Sequence, residues 1–404
     1  MKKTILKSMP FVIVIMMLLG ASATHANNQH DHLTQQIENA LTTYSTAMGV
    51  QLYQKDDLLS DQIHNLIVER KLFYERYFQT GLHSKLLNIS TDFEPTKAIE
   101  LSENTYQVQE TVTLTGKPIL QVAEDYPVYK AYLLAAKMAK DTDISHYLEQ
   151  TAAEIRGAVQ ESIDANTFEI TIINLHKVTF NPQTGQLVSD SFTSEANDDP
   201  GTDKVEWVDG KAKRVEPDFT HLPDYEIYSI SEEVLAQQIL EDLNAAPSES
   251  INSSYNTLVY SGSTAAYYAR SYVRATQTYA WCGRLRDMTV WNPIYYYPPS
   301  ADCLDCVNFV SQAIHAGGIS TDSTWYPWTA TWVNVTLFQN YVLSRDLGYR
   351  VSNCYTLGLG DIGIQPATHV AIVTALNPLR YSGHTNDRLN YPWQSVLSTC
   401  VNLY

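Results

Sequence analysis

An amphipathic helix with a cysteine in its first turn is predicted by residues 305–318, which read DCVNFVSQAIHAGG. Apolar side chains recur at helical spacing, and a polar stripe runs between them. That polar stripe consists of Asn308, Ser311, Gln312 and His315. Asp305 can cap the helix, and the Gly317-Gly318 pair can end it. Backbone N–H groups and the helix dipole favour negative charge in a first turn, so we expect a lowered pKa for the Cys306 thiol and a nucleophilic thiolate.

A cysteine nucleophile needs a base, and three histidines lie downstream of this cysteine. His315 is excluded, because it lies about 13 Å along the axis of the same predicted helix. His369 opens a β-branched strand within GDIGIQPATHVAIV, residues 360–373. A sheet would fix such a histidine while its ring faces a groove, so His369 is the predicted base.

A nucleophile's base is commonly oriented by a third group, so we expect one here. His384 follows His369 by about one hairpin and is the first choice, with Asn386 or Asp387 as substitutes. An ordinary half-exposed histidine would explain His384 equally well.

The charge distribution divides the chain near Ser250. Residues 252–404 contain no Lys or Glu and have a net charge of +1, whereas residues 27–251 have a net charge of -21. All five Cys lie in the C-terminal part. We therefore predict an N-terminal domain over 27–192, an acidic linker with a short helix over 193–251, and a catalytic domain over 252–404. The whole-chain charge of -17 disfavours nucleic acid as a partner.

Residues 1–26 predict a secretory signal peptide, with three lysines, an apolar core and a small-residue site for cleavage after Ala23 or Ala26. The apolar core, Pro10–Leu19, is far shorter than the roughly 20 residues that span a bilayer. We expect a secreted mature protein without a membrane span.

Helices and strands alternate in the predicted N-terminal domain, which makes it α+β. Helical spacing begins at Ile63, and it returns over Tyr129–Ile163. Period-two alternation predicts strands over Asn104–Leu114, Thr167–Phe180 and Leu187–Phe192. The histidines of this domain are scattered singly and predict packing or surface positions.

The cysteine and histidine segments together resemble a bacterial amidase domain family related to the papain-like NlpC/P60 and CHAP cysteine hydrolases. The similarity covers about residues 255–395, with the family's Asp-Cys-x-Asn-Phe-Val-Ser-Gln at 305–312, Gly-Asp at 360–361 and a strand-initial histidine at 369. It implies an α+β, papain-like C-terminal domain and hydrolysis of amide bonds by Cys306. The family's Trp-rich stretch is matched by Trp325 and Trp332.

The extra Cys303 departs from the family pattern and creates a C-x-x-C sequence with Cys306. A thiol oxidoreductase is thus an alternative, although such motifs follow a buried strand. A metal site is not expected, because a second pair of ligands is lacking, and no cofactor is implied. If Cys306 is a thiol, Cys282–Cys303 with Cys354–Cys400 is one of three disulfide pairings that remain.

The predicted function is a secreted cysteine amidohydrolase that cleaves amide or peptide bonds, and export together with a thiol amidase fold favours peptidoglycan as the substrate class. Trp325, Trp328 and Trp332 can line a groove for such a polymer, although core packing is the commoner role for tryptophan. A protease or an acyl transferase would use the same groups. A cell-surface binding protein that keeps the fold without catalysis is the alternative from another class.

Overall fold

The computed structural model describes residues 35–49, 56–95, 98–194, 204–208, 211–215, 226–245, 260–273, 292–295, 305–384 and 388–404. The predicted signal peptide lies outside these residues. The chain is α+β and forms two compact units. The first contains the described residues up to 69 together with 90–111 and 174–193, and the second contains 70–89, 112–173 and the chain from 194 onward.

The N-terminal half alternates helices and strands, as its periodicity predicts. Its helices are α1 (35–49), α2 (Asp61–Arg76), α3 (Pro127–Met138), α4 (Thr142–Asp164) and α5 (Glu232–Ala245). Its main strands are β1 (Ser84–Phe93), β2 (Ile99–Ser102), β3 (Thr105–Pro118), β4 (Phe168–Phe180) and β5 (Leu187–Ser194). They pair in the order β1-β3-β4-β5, with β2 beside β3. A hairpin of β6 (Lys204–Val208) and β7 (Lys211–Val215) falls where the sequence predicted only a linker.

The predicted single helical stretch from Tyr129 is two helices. Asp141 separates them, because its carboxylate accepts the N–H groups of Asp143 and Ile144 and so caps the start of α4. The predicted linker helix is also present as α5. It packs against α3, and Asp242 near its end accepts the N–H of Ser352 at 2.9 Å. The second unit therefore includes α3, α4 and α5 together with the C-terminal elements.

Within the described residues, the C-terminal elements are four helices and a six-stranded antiparallel sheet. The helices are α6 (Gly262–Ser271), α7 (Cys306–Ala316), α8 (Ala330–Val333) and α9 (Val335–Ser344). The strands are β8 (Gly348–Val351), β9 (Ile362–Gln365), β10 (His369–Ala375), β11 (Arg380–Gly383), β12 (Arg388–Pro392) and β13 (Thr399–Leu403). Their order is β12-β11-β10-β9-β13-β8.

The two faces of this sheet are covered by different helices. Val370 and Ile372 belong to the buried core that also contains Phe309 of α7. Side chains alternate along a strand, so Asn402, between two core residues of β13, points to the other face. There its amide oxygen accepts the hydroxyl of Tyr147 from α4 at 3.1 Å, while its nitrogen donates to Tyr132 of α3.

His176 of β4 is buried in the first unit, which is a packing position of the kind predicted for the N-terminal histidines. His176 Nε2 lies 2.8 Å from Glu110, and Nδ1 lies 2.9 Å from Asp190. Tyr44 donates to Asp190, and Asn174 donates to Glu110. Burial disfavours the charged ring, but the charges and hydrogen bonds of the two carboxylates outweigh it and raise the pKa of His176 to about 9.

We expect this network to make stability depend on pH. The folded-state pKa of His176 lies above the usual 6.5. Its stabilisation is therefore complete below about pH 6.5 and lost as the pH rises to about 9, with an upper value of about 3 kcal/mol. Denaturant unfolding at pH 6 and pH 9.5 measures this loss. His176→Gln should remove the difference, and an unchanged difference in that variant would contradict the assignment.

Candidate active site

Cys306 is the first residue of α7, as predicted. Asp305 holds the N-cap position and Gly317 the C-cap position. Cys306 is a buried thiol that is 3% exposed, within the same core cluster as Val370 of β10. The sequence therefore places this cysteine correctly in a helix's first turn, where backbone N–H groups favour a thiolate.

Most of the polar stripe of α7 does not face solvent, since Asn308, Ser311 and Gln312 are buried and His315 is half-buried. Asn308 accepts the indole N–H of Trp332 at 2.7 Å, and Ser311 accepts that of Trp325 at 3.1 Å. Both indoles are fully buried. The prediction that Trp325 and Trp332 line a substrate groove is therefore wrong, because these side chains are core and hold α7 in place. Trp328 is 56% exposed, so a role in substrate contact stays a prediction.

The predicted base, His369, is the first residue of β10 and pairs with Gln365 of β9. Its side chain is half-buried, and a Cβ atom on Gly383 would lie 3.4 Å from its Nε2 atom. Burial, assisted by the positive charge of Arg388, lowers the pKa of His369 to about 4. The resting ring is therefore neutral at pH 7. A neutral imidazole is the form that can act as the predicted base.

His384 does not orient His369, which corrects the prediction. His384 Nδ1 lies 2.7 Å from Asp305 Oδ2, and Nε2 lies 2.6 Å from the carbonyl oxygen of Tyr272. Both ring nitrogens are therefore engaged elsewhere. Asp305 also differs from expectation, because its side chain makes no capping bond and instead accepts from Asn308 at 2.9 Å.

These contacts bring the helix start and the strand start to one end of the sheet. His384 binds Asp305, which precedes Cys306, and follows Gly383, whose position lies beside His369. His369 shares its face of β10 with Ala371, whereas Val370 faces α7. Cys306 and the side chain of His369 therefore belong to opposite faces of β10, and the two groups could meet only at the end of the sheet where this strand begins.

Arg388 and Tyr272 are the site residues that the sequence did not indicate. Arg388 opens β12 and acts on His369 through its charge. Tyr272 contributes only a backbone carbonyl, for which no sequence signal exists. The alternates Asn386 and Asp387 lie outside the described residues.

The structure shows the pairing of two of the cysteines. Cys354 and Cys400 form a disulfide, which ties the turn after β8 to β13. Cys282 and Cys303 lie outside the described residues, so the other predicted disulfide and the C-x-x-C pair stay predictions. In the part of the chain that the structure describes, no group of three His, Cys, Asp or Glu side chains is arranged to hold a metal.

A cleft in the second unit lies away from this end of the sheet. It is lined by α4, the start of β4 and the Thr374–Ala375 end of β10. Strands rise about 3.3 Å per residue, so this end lies about 20 Å from His369. Residues 296–304, which precede the Cys306 segment in sequence, and residues 385–387 lie outside the described residues. Among the helices that are described, none has the length and apolarity to cross a membrane.

Part of the chain is similar to known proteins. Residues 259–402 match the family model described as "Putative amidase domain", which indicates an amide hydrolase and supports the predicted resemblance to the amidase family. A Bacillus subtilis (strain 168) protein named "Uncharacterized protein YjcM" is 39% identical over 113 residues, covering 23% of this chain. The match spans 27% of that protein. No solved structure matches the chain.

Proposed function

We propose that the protein is a cysteine amidase that uses Cys306 as nucleophile and His369 as base. The proposal rests on one observation, made within the residues that match the amidase family model. Cys306 lies in the first turn of a helix, and Asp305 before it hydrogen-bonds to His384. His384 directly follows Gly383, which lies beside His369. A neutral imidazole can accept the thiol proton, which is the form that the lowered pKa of His369 maintains.

The reaction would proceed in two halves. The Cys306 sulfur bonds to the amide carbonyl carbon while its proton passes to His369. The imidazolium then protonates the leaving amine, and the C–N bond breaks to leave a thioester. Water, deprotonated by His369, attacks this thioester and releases the acid and the thiol. The Cys306 backbone N–H at the helix start would stabilise the oxyanion.

We further propose export by the signal peptide and hydrolysis of amide bonds in peptidoglycan peptides. The basic and apolar segments at residues 1–26 support export. A papain-like relationship to NlpC/P60 hydrolases is supported by the order of cysteine, Gly-Asp turn and strand-initial histidine. A protease, an acyl transferase, a binding protein with an inert site and a Cys303–Cys306 oxidoreductase are the alternative outcomes.

Alkylation tests the nucleophile without a known substrate. We expect iodoacetamide at about pH 6, where an ordinary thiol with a pKa near 8.5 is almost fully protonated, to label Cys306 rapidly. Mass spectrometry of the digested protein identifies the labelled cysteine. His369→Ala should slow the labelling, whereas His315→Ala, which changes a histidine at the far end of α7, should not. An inert Cys306, or one joined to Cys303, would contradict the proposal.

A further inference from the structure

A buried carboxylate and a buried histidine meet at the start of α7. Asp305 and His384 are 4% and 3% exposed, and their Oδ2 and Nδ1 atoms are 2.7 Å apart. The His384 ring stacks on Phe309, with 4.0 Å between the ring centroids. Its Nε2 atom lies 2.6 Å from the carbonyl oxygen of Tyr272. The pair is thus enclosed by residues of α7, β11 and the end of α6.

The hydrogen bonds fix the number of protons on this pair. A carbonyl oxygen only accepts, so His384 Nε2 must carry a proton towards Tyr272. The contact with Asp305 then needs one more proton, carried either by Nδ1 or by the carboxyl group. In both arrangements the pair has no net charge. His384 therefore has no ring nitrogen available to accept a proton from Cys306 or from His369.

The pair also explains why Asp305 does not cap its helix. An aspartate at an N-cap normally accepts the N–H groups of the first turn. Here Asp305 makes no capping bond, because Oδ2 meets His384 and Oδ1 accepts from Asn308 at 2.9 Å. The Asp305 carboxylate therefore leaves those N–H groups to the Cys306 sulfur and the oxyanion.

We propose that Asp305 and His384 are positioning residues for Cys306. His384 neutralises Asp305 and draws its carboxylate away from the helix start, so that the negative charge favoured there is the thiolate. This inference rests on the proposed function, because it assigns the pair a role at the same cysteine. The substitutions described below leave in place His369 and the Arg388 charge that acts on it.

A double substitution separates charge neutralisation from simple packing. In His384→Gln, an unneutralised carboxylate stands beside Cys306 and raises the thiol pKa, so we expect alkylation at pH 6 to slow roughly tenfold, as for a rise of about one unit. Adding Asp305→Asn removes that charge and should restore the rate to within about threefold of the unaltered protein. If the pair only supports the fold, the double variant will be as slow as His384→Gln or slower, which would overturn the proposal.

This experiment separates failure of the positioning proposal from failure of the amidase proposal. A Cys306 that is inert in the unaltered protein rejects the amidase. A reactive Cys306 that ignores His384→Gln rejects only the positioning role. His315→Gln is the matched control, because His315 lies on the same helix and also hydrogen-bonds a backbone carbonyl, that of Ile319.

A spectroscopic measurement on the unaltered protein decides the matter if the variants do not fold. Nitrogen NMR of ¹⁵N-histidine-labelled protein reports whether each ring nitrogen carries a proton. The His384 signal is identified as the one that is absent in His384→Gln. If that variant does not fold, the signal is identified by its proximity to the protons of the Phe309 ring. We expect a protonated Nε2 at every pH at which the protein is folded. An unprotonated Nε2 would overturn the proposal.

Discussion

Cys306→Ala and His369→Ala are each expected to lower kcat/KM for amide hydrolysis by at least about a thousandfold. The alanine at 306 removes the sulfur that forms the thioester in the proposed reaction, and the alanine at 369 removes the acceptor of its proton. Cys306 is the first residue of α7 and His369 the first residue of β10, so neither truncation disrupts the interior of an element. The measurement is initial-rate hydrolysis of peptidoglycan peptides, with amino-acid p-nitroanilides as simple amides.

The two residues should act as a unit. Because groups that share one chemical step lose their effects together, the Cys306→Ala/His369→Ala double variant should be no slower than Cys306→Ala alone. His315→Ala provides the control for loss of a histidine from α7, and it should retain activity. Substantial hydrolysis by Cys306→Ala would contradict the nucleophile, and full activity of His369→Ala would contradict the base.

Local signals predict α7 well, because everything that defines it lies within fourteen residues. The apolar stripe, Asp305 and Gly317 specify the start and the end without help from the rest of the chain. The surroundings of that helix could not be predicted in the same way. Asn308 and Trp332 are 24 residues apart in sequence, and their hydrogen bond depends on how the intervening chain folds. A polar stripe that binds buried indoles therefore looks, in sequence, like one that faces water.

The roles of the histidines show the same limit. His384 follows His369 by a hairpin, so proximity to the base was a fair prediction, but its partner Asp305 is 79 residues away. The burial of His176 could have been predicted from the sequence. It lies an even number of residues from the buried Ile170 and Ile172, so its side chain points to the same side of β4. A histidine on the inward side of a strand needs hydrogen-bond partners, which here are Glu110 and Asp190.

The sharp change in composition near Ser250 does not coincide with a boundary between compact units. Lysine and glutamate are absent beyond it, yet α3, α4 and α5 fall within the same compact unit as the C-terminal elements. The content of lysine and glutamate depends mainly on the exposed side chains, whereas the contacts between α3, α4 and the C-terminal sheet are made by buried side chains. Tyr132 and Tyr147 are the clearest cases, since their hydroxyl groups meet Asn402.

Residues 252–404 expressed alone are consequently expected not to fold into a stable monomer. The face of the sheet that includes Asn402 would lose α3 and α4 and would expose the buried side chain of Tyr349, which hydrogen-bonds to Tyr147 of α4, to water. Buried carbonyl groups would also lose donors, as at Leu376, which accepts the hydroxyl of Ser162 at 2.5 Å. We expect insoluble protein, or soluble protein without a cooperative thermal transition, measured by circular dichroism.

Cleavage of the folded chain tests whether the C-terminal elements need α3, α4 and α5 only as packing partners or also need to be joined to them covalently. A protease site inserted between residues 246 and 259 cuts between α5 and the C-terminal elements, after folding is complete. Because α3, α4 and α5 bind the C-terminal elements through buried contacts such as Tyr147 with Asn402, the two pieces should co-elute in gel filtration and retain the alkylation rate of Cys306. Separation of the pieces with the reactivity intact would show instead that the amidase elements are self-sufficient. The N-terminal helices would then be a removable domain, as the composition alone predicts.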